Sequence, residues 1–140
     1  MRIFLDANIL VSVLNKEYPL YSYSSRIVSL ADHRNFEVFT SPLCLAIGFY
    51  FAEKKSKKTA REKIRLLGEH LSIAAISETT VRKATKNSAI HDFEDGLEYY
   101  AALESKCDCI ITEDIKDFYF SDIEIISGES FFEKYLVSKH

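Results

Sequence analysis

Apolar and polar positions along the chain follow two alternating rhythms. Residues 2–5 (RIFL) form a short apolar run closed by Asp6, the pattern of a buried strand. From Ala7 to Asn15, Ile9, Leu10, Val13 and Leu14 recur at helical spacing, until Pro19 and its neighbours break the pattern. A second helix is predicted over Tyr23–His33 and a second strand over Glu37–Thr40. Ser41-Pro42 then supplies an N-cap and a first-turn proline for a helix running to about Lys55. Thr59–Glu69 reads as a charged amphipathic helix, Leu71–Ile76 as a short strand, and Ser77-Glu78-Thr79 opens a helix ending near Asn87. Asp92–Lys106 is the clearest helix, followed by a buried strand at Asp108–Thr112, a last strand at Glu124–Ile126 and a closing helix at Ser130–Leu136. Strands alternating with helices imply parallel pairing through right-handed crossovers. The expected fold class is therefore α/β: a three-layer α/β/α sandwich around a central, mostly parallel sheet.

Composition narrows this picture. A chain of 140 residues with four Gly, two Pro and no repeat or low-complexity segment suits one domain spanning residues 1–140. No run approaches the roughly 18 apolar residues a membrane span needs. The opening MRIFLDANIL has an Asp within its apolar stretch and no small-residue cleavage site, so neither a signal peptide nor an anchor is expected. Cys44, Cys107 and Cys109 form no CxxC pattern and fit reduced, buried thiols of a cytoplasmic protein. His33, His70, His91 and His140 lack zinc-ligand spacing.

The net charge of −3 says little, but its distribution says more. Residues 54–65 carry seven of the eighteen basic residues, whereas residues 92–133 carry thirteen of the twenty-one acids and only two basic residues, Lys106 and Lys116. The basic run suits either a solvated helix face or an edge contacting phosphate or a partner. Tyr18, Tyr21 and Tyr23 suit core or dimer contacts, or stacking on unpaired bases.

In open α/β sheets, sites form beyond the carboxyl ends of the strands. Asp6 ends the first strand, Glu113-Asp114 follows Asp108–Thr112 with Asp117 three residues on, and Asp92-Phe93-Glu94-Asp95 opens the helix leading into that strand. Carboxylates gathered at one edge repel unless a cation lies between them, and oxygen ligands of this kind favour Mg²⁺ or Mn²⁺. Each acid also has a plainer account. Asp6 caps the helix at Ala7, Asp92 and Asp95 form a reciprocal cap, and Asp114 and Asp117 occupy an ordinary polar loop.

These stretches together resemble the PIN-domain family, over nearly the whole chain. Phe4-Leu5-Asp6-Ala7-Asn8-Ile9-Leu10 is similar to its opening strand, Asp-x-Asn and helix. Asp92-Phe93-Glu94-Asp95-Gly96-Leu97 with Tyr100-Ala101-Ala102 is similar to its central acidic helix. Cys109-Ile110-Ile111-Thr112-Glu113-Asp114 with Asp117-Phe118 is similar to its Thr-x-Asp loop, and Ile125-Ile126-Ser127 with Phe131-Phe132 to its last strand and helix. The resemblance implies Asp6, Asp95 and Asp114 as catalytic metal ligands, with Asp117 as alternate ligand, and Asn8, Asp92 and Thr112 in support. It implies Mg²⁺ or Mn²⁺, metal-assisted hydrolysis of RNA to 5′-phosphate and 3′-hydroxyl ends, a homodimer, and a VapC-like toxin silenced by a cognate antitoxin.

One departure is visible. The family usually carries a Glu on the helix after the second strand, where Ala46 or Ile47 stands here, and Glu53 lies seven residues beyond Ala46, about 10 Å along the axis. The alternative function is thus a PIN scaffold that binds RNA or a partner but cuts slowly or not at all. Other acidic α/β classes fit less well. Asn8 stands where a haloacid-type phosphatase needs its second Asp, the paired acids and Lys of a receiver domain are not clear, and the four glycines form no P-loop.

Overall fold

The computed structural model describes residues 1–137, so His140 lies outside it. The chain runs β1 (Arg2–Leu5), α1 (Ala7–Leu14), α2 (Tyr21–Ser29), β2 (Glu37–Thr40), α3 (Pro42–Lys55), α4 (Lys57–His70), β3 (Ser72–Ile73), α5 (Glu78–Lys86), α6 (Phe93–Glu104), β4 (Cys109–Ile111), β5 (Glu124–Ile126) and α7 (Gly128–Phe131). Short 3₁₀ turns follow α2 (Leu30–Asp32) and β4 (Ile115–Phe118), and α7 continues into a wider π-type turn over Phe132–Val137.

The five strands order as β3-β2-β1-β4-β5, and all four pairings are parallel. Ile3, Phe4 and Leu5 of β1 and Cys109, Ile110 and Ile111 of β4 are wholly buried, which explains why both read as unbroken apolar runs: helices cover both faces of the central strands. α1 packs on α2 and α3, and α3 on α4, whereas α5 and α6 pair with each other and α6 leans on β4. The result is the expected three-layer sandwich.

The strand order reverses between β1 and β4. Successive strands lead outward from β1 through β2 to β3, then the chain crosses to β4 on the other side. The crevice beyond Leu5 and Ile111 is therefore a topological switch point, the place where such sheets carry their sites.

Three elements depart most from expectation. The strand foreseen over residues 71–76 contracts to Ser72–Ile73, because its partner β2 ends at Thr40 and only Ala74 N–H still reaches the Thr40 carbonyl, at 2.7 Å. Helix α2 begins earlier and ends earlier than foreseen, its last turn tightening into the 3₁₀ segment. The closing helix starts at Gly128, capped by the Ser127 side chain accepting from Ser130 N–H. No helix among the described residues is long and apolar enough to cross a membrane.

Candidate active site

At the switch point lies a cleft of about 290 Å³. Six acids line it, Asp6, Glu17, Glu94, Asp95, Glu98 and Asp114, with Asn8 and a wall of Ala7, Val11, Ile47 and Phe51; no basic residue is among them. Glycine and the caps set its walls. At Gly48 a Cβ would lie 3.1 Å from Leu14 Cδ1, so its absence lets α3 approach α1 closely.

Asp6 is nearly buried, and its two oxygens have different tasks. Oδ1 accepts from the Ala7 backbone N–H at 2.7 Å, capping α1. Oδ2 accepts from the Thr112 hydroxyl at 2.7 Å. The plainer account of Asp6 as a cap is thus correct for one oxygen, while the other joins a network. Thr112 Oγ1 in turn accepts from Asp114 N–H at 3.0 Å and from Asn8 Nδ2 at 3.2 Å. Asn8 Nδ2 also donates to Asp114 Oδ2 at 3.1 Å, and its Oδ1 accepts from Glu113 N–H at 3.2 Å. Asn8 and Thr112 therefore lock the loop after β4 to the end of β1. Phe118, almost wholly buried, anchors the far side of that loop.

Asp95 comes from the opposite wall. Asp92 caps α6, its Oδ1 accepting from Asp95 N–H at 3.2 Å, but the cap runs one way: the carboxyl of Asp95 lines the cleft instead of returning to Asp92. Partial burial first, then the charges of Asp92, Asp6, Asp117 and Glu94, push Asp95 up to about 7. Glu94 is raised for the same leading reason, burial, with Asp92 and Asp6 behind it. Asp117 does not line the cleft; it sits in the 3₁₀ turn, and its charge reaches Asp95. Asp92 is exposed at the helix start. Glu113 faces away, its Oε2 accepting from Gly128 N–H at 2.9 Å and tying the loop to α7.

Glu98 escaped the sequence reading. It lies one turn beyond Asp95 on α6 and is 1 % exposed. Its Oε1 accepts from the Cys44 thiol at 3.4 Å, and its Oε2 has no hydrogen-bond partner. Ligand atoms of Asp6, Cys44 and Glu98 lie within 4.8 Å of one another. Burial, followed by Asp6, holds the Glu98 carboxyl well above the ordinary range, and burial likewise raises the Cys44 thiol. The signal was the i,i+3 spacing from Asp95, which puts both carboxyls on one helix face. All three cysteines are free and buried, as expected.

On α3, Ile47 faces the cleft, Ala46 is exposed and Cys44 points beneath, so this helix contributes no carboxylate to the cleft; Glu53 is not among its lining residues. The basic run partly serves the fold. Lys55 Nζ donates to the Asn15 carbonyl at 2.5 Å and Lys63 Nζ to the Leu14 carbonyl at 3.1 Å, while Arg65 pairs with Glu62 and Glu69. Of the three tyrosines, none is buried. Tyr18 stands 70 % exposed with Tyr21 edge-on at 5.2 Å, and Tyr23 donates to Glu129.

A cluster of carboxyls that push one another's proton affinity upward, with a buried oxygen left unpartnered, suits a hard divalent cation. The PIN domain family model matches residues 2–116. The chain belongs to the PIN-domain family. Among PIN relatives it is 28% identical over 138 residues to Ribonuclease VapC1 of Aquifex aeolicus (strain VF5), covering 96% of this chain and 95% of that protein. The PIN fold itself recurs in VapBC2 from Rickettsia felis, solved bound to a DNA fragment from its promoter, with a TM-score of 0.69 at 23% identity over 91% of this chain and 98% of that one. It recurs again in VapC20 of Mycobacterium tuberculosis, a sarcin-ricin loop cleaving toxin, with a TM-score of 0.65 at 12% identity over 87% and 98%.

Proposed function

We propose that this PIN protein is a Mg²⁺- or Mn²⁺-dependent endoribonuclease and the toxin of a VapBC-type toxin–antitoxin pair, acting in the cytoplasm as a homodimer restrained by its cognate antitoxin. The observation that carries the reading is the meeting of Asp6, Asp95 and Asp114 in one cleft at the switch point, from three separate parts of the chain. Support comes from the similarity to Ribonuclease VapC1 and from the VapBC and FitAB assemblies among proteins of the same fold.

In this reading Asp6, Asp95 and Asp114 hold the metal, with Asp117 as the alternate acid beside them. An ion held by these residues would supply Lewis acidity toward water and toward the phosphodiester oxygens. Asn8 and Thr112 fix the angle between Asp6 and Asp114, and Asp92 holds the first turn of α6 so that Asp95 faces inward. The apolar wall of Ile47 and Phe51 borders the space left for the phosphodiester.

The test is cleavage of a mixed RNA pool by purified protein with Mn²⁺, Mg²⁺ or EDTA. Metal-dependent cutting is expected, falling by at least about 100-fold in Asp6→Asn and Asp95→Asn, since even indirect ligand supports typically contribute 10–100-fold. One observation favours a second reading, a scaffold that binds RNA or a partner without turnover: α3 offers the cleft Ile47 and Phe51 where an acid would serve a metal. Folded, antitoxin-free protein that binds RNA and cuts under no metal would select it.

A further inference from the structure

A buried carboxylate without a donor is costly, and replacing it by an apolar side chain of similar size would ordinarily stabilise the fold. Glu98 is such a group. Its Oε1 accepts from the Cys44 thiol, its Oε2 has no hydrogen-bond partner, and a carboxylate oxygen of Asp6 lies within 4.8 Å. Helix α6 nevertheless aims this acid into the wall of the cleft, one turn below Asp95. The facing helix, α3, adds a thiol and two apolar side chains but no acid.

We propose that Glu98 is itself a metal ligand of this site, its buried Oε2 completing with Asp6 and Asp95 an oxygen-lined seat for Mg²⁺ or Mn²⁺. The inference rests on the ribonuclease reading and deepens it. Cys44 acts as a positioning residue: its thiol holds Oε1, which leaves Oε2 as the oxygen available to a cation. Two successive turns of α6 thereby furnish two carboxylates, and the site collects its acids from β1 and α6 without help from α3. A metal at this depth draws on an acid that has no solvent alternative, which favours retention of the ion over exchange with water.

The experiment is titration of metal-stripped, full-length protein with MnCl₂, read by calorimetry or by the loss of the free-Mn²⁺ paramagnetic resonance signal. Glu98→Gln keeps shape and burial and removes the charge. It is expected to melt, metal-free, at or above the wild-type temperature, and to bind Mn²⁺ at least about tenfold more weakly. Glu98→Asp, which keeps the acid but withdraws it by one methylene group, is the second variant and is also expected to bind more weakly. Wild-type Mn²⁺ affinity in either folded variant overturns the role of Glu98 and leaves the ribonuclease reading standing. Absence of Mn²⁺ binding in the wild-type protein, with RNA cleavage also absent, overturns both.

Discussion

Thr112 shows how much of the site depends on one wholly buried hydroxyl. It gives its proton to Asp6 and accepts from both Asp114 N–H and Asn8 Nδ2, so one oxygen fixes the geometry of two acids that are 108 residues apart in sequence. Thr112→Val is close in shape and leaves a buried methyl in its place. It removes all three interactions and strands Asp6 Oδ2 without its donor, at a cost on the order of 1–3 kcal/mol. Cleavage and Mn²⁺ affinity are each expected to fall about 10–100-fold. Unchanged values in the folded variant would show that backbone geometry alone sets the site. At this scale the acids at strand ends were legible, because a polar residue closing an apolar run has few places to lie. Asp6, Asn8, Asp95, Thr112 and Asp114 all meet as foreseen. Glu98 was missed, although its i,i+3 spacing from Asp95 marked the same helix face. In an acid-rich helix a further Glu reads as solvent-facing, yet α6 is wedged between α5 and the sheet, so Glu98 and Tyr99 are both buried and no clean polar stripe remains.

At the level of elements, the basic run separates into parts that its composition concealed. Helix α1 ends with carbonyls that its own turns leave unsatisfied, and the lysines of α3 and α4 reach back to them: Lys55 to Asn15 and Lys63 to Leu14. The partly buried Lys63 is thus a cap supplied from another helix. Lys63→Met keeps the aliphatic stem and removes the charge, and it is expected to lower stability by about 0.3–1 kcal/mol, read by urea denaturation at low salt. A midpoint that does not move would assign Lys63 to the solvated surface. Lys54, whose ammonium lies over the Tyr50 ring, and Lys57, Lys58 and Arg61 are the exposed remainder on which a phosphate-facing edge has to rest. The elements themselves followed from periodicity wherever both neighbours were present, as with β1, β4 and α3. Edge strand β3 did not, because its length is set by where β2 turns into α3 rather than by its own residues.

The whole molecule pairs an ordinary α/β core with one site whose acids oppose folding in the absence of metal, and this gives its stability a pH dependence opposite to that of most paired carboxylates. Folded Asp95 is pushed up to about 7 by burial and then by Asp92, Asp6, Asp117 and Glu94, and Glu98 is likewise held above its ordinary range by burial and Asp6. Unfolded, both revert to the ordinary range near 4. Between those values the folded state holds protons that the unfolded state has released, so the linkage slope is negative. The contribution is fully present below about pH 4 and is lost as pH rises through 7. Glu124, lowered through Lys134 and Tyr135 despite partial burial, acts in the other direction: its contribution is present above the usual Glu range and is lost as pH falls below it. In EDTA, stability is therefore expected to peak in mildly acidic solution and to decline from pH 5 to pH 8, by thermal or urea unfolding. Asp95→Asn has no proton to release and should flatten that decline. Mn²⁺ should reverse it, because the ion replaces the protons and binds more tightly as they leave. A metal-free protein that gains stability steadily from pH 5 to pH 8 would show that water enters the cleft and screens these acids from one another.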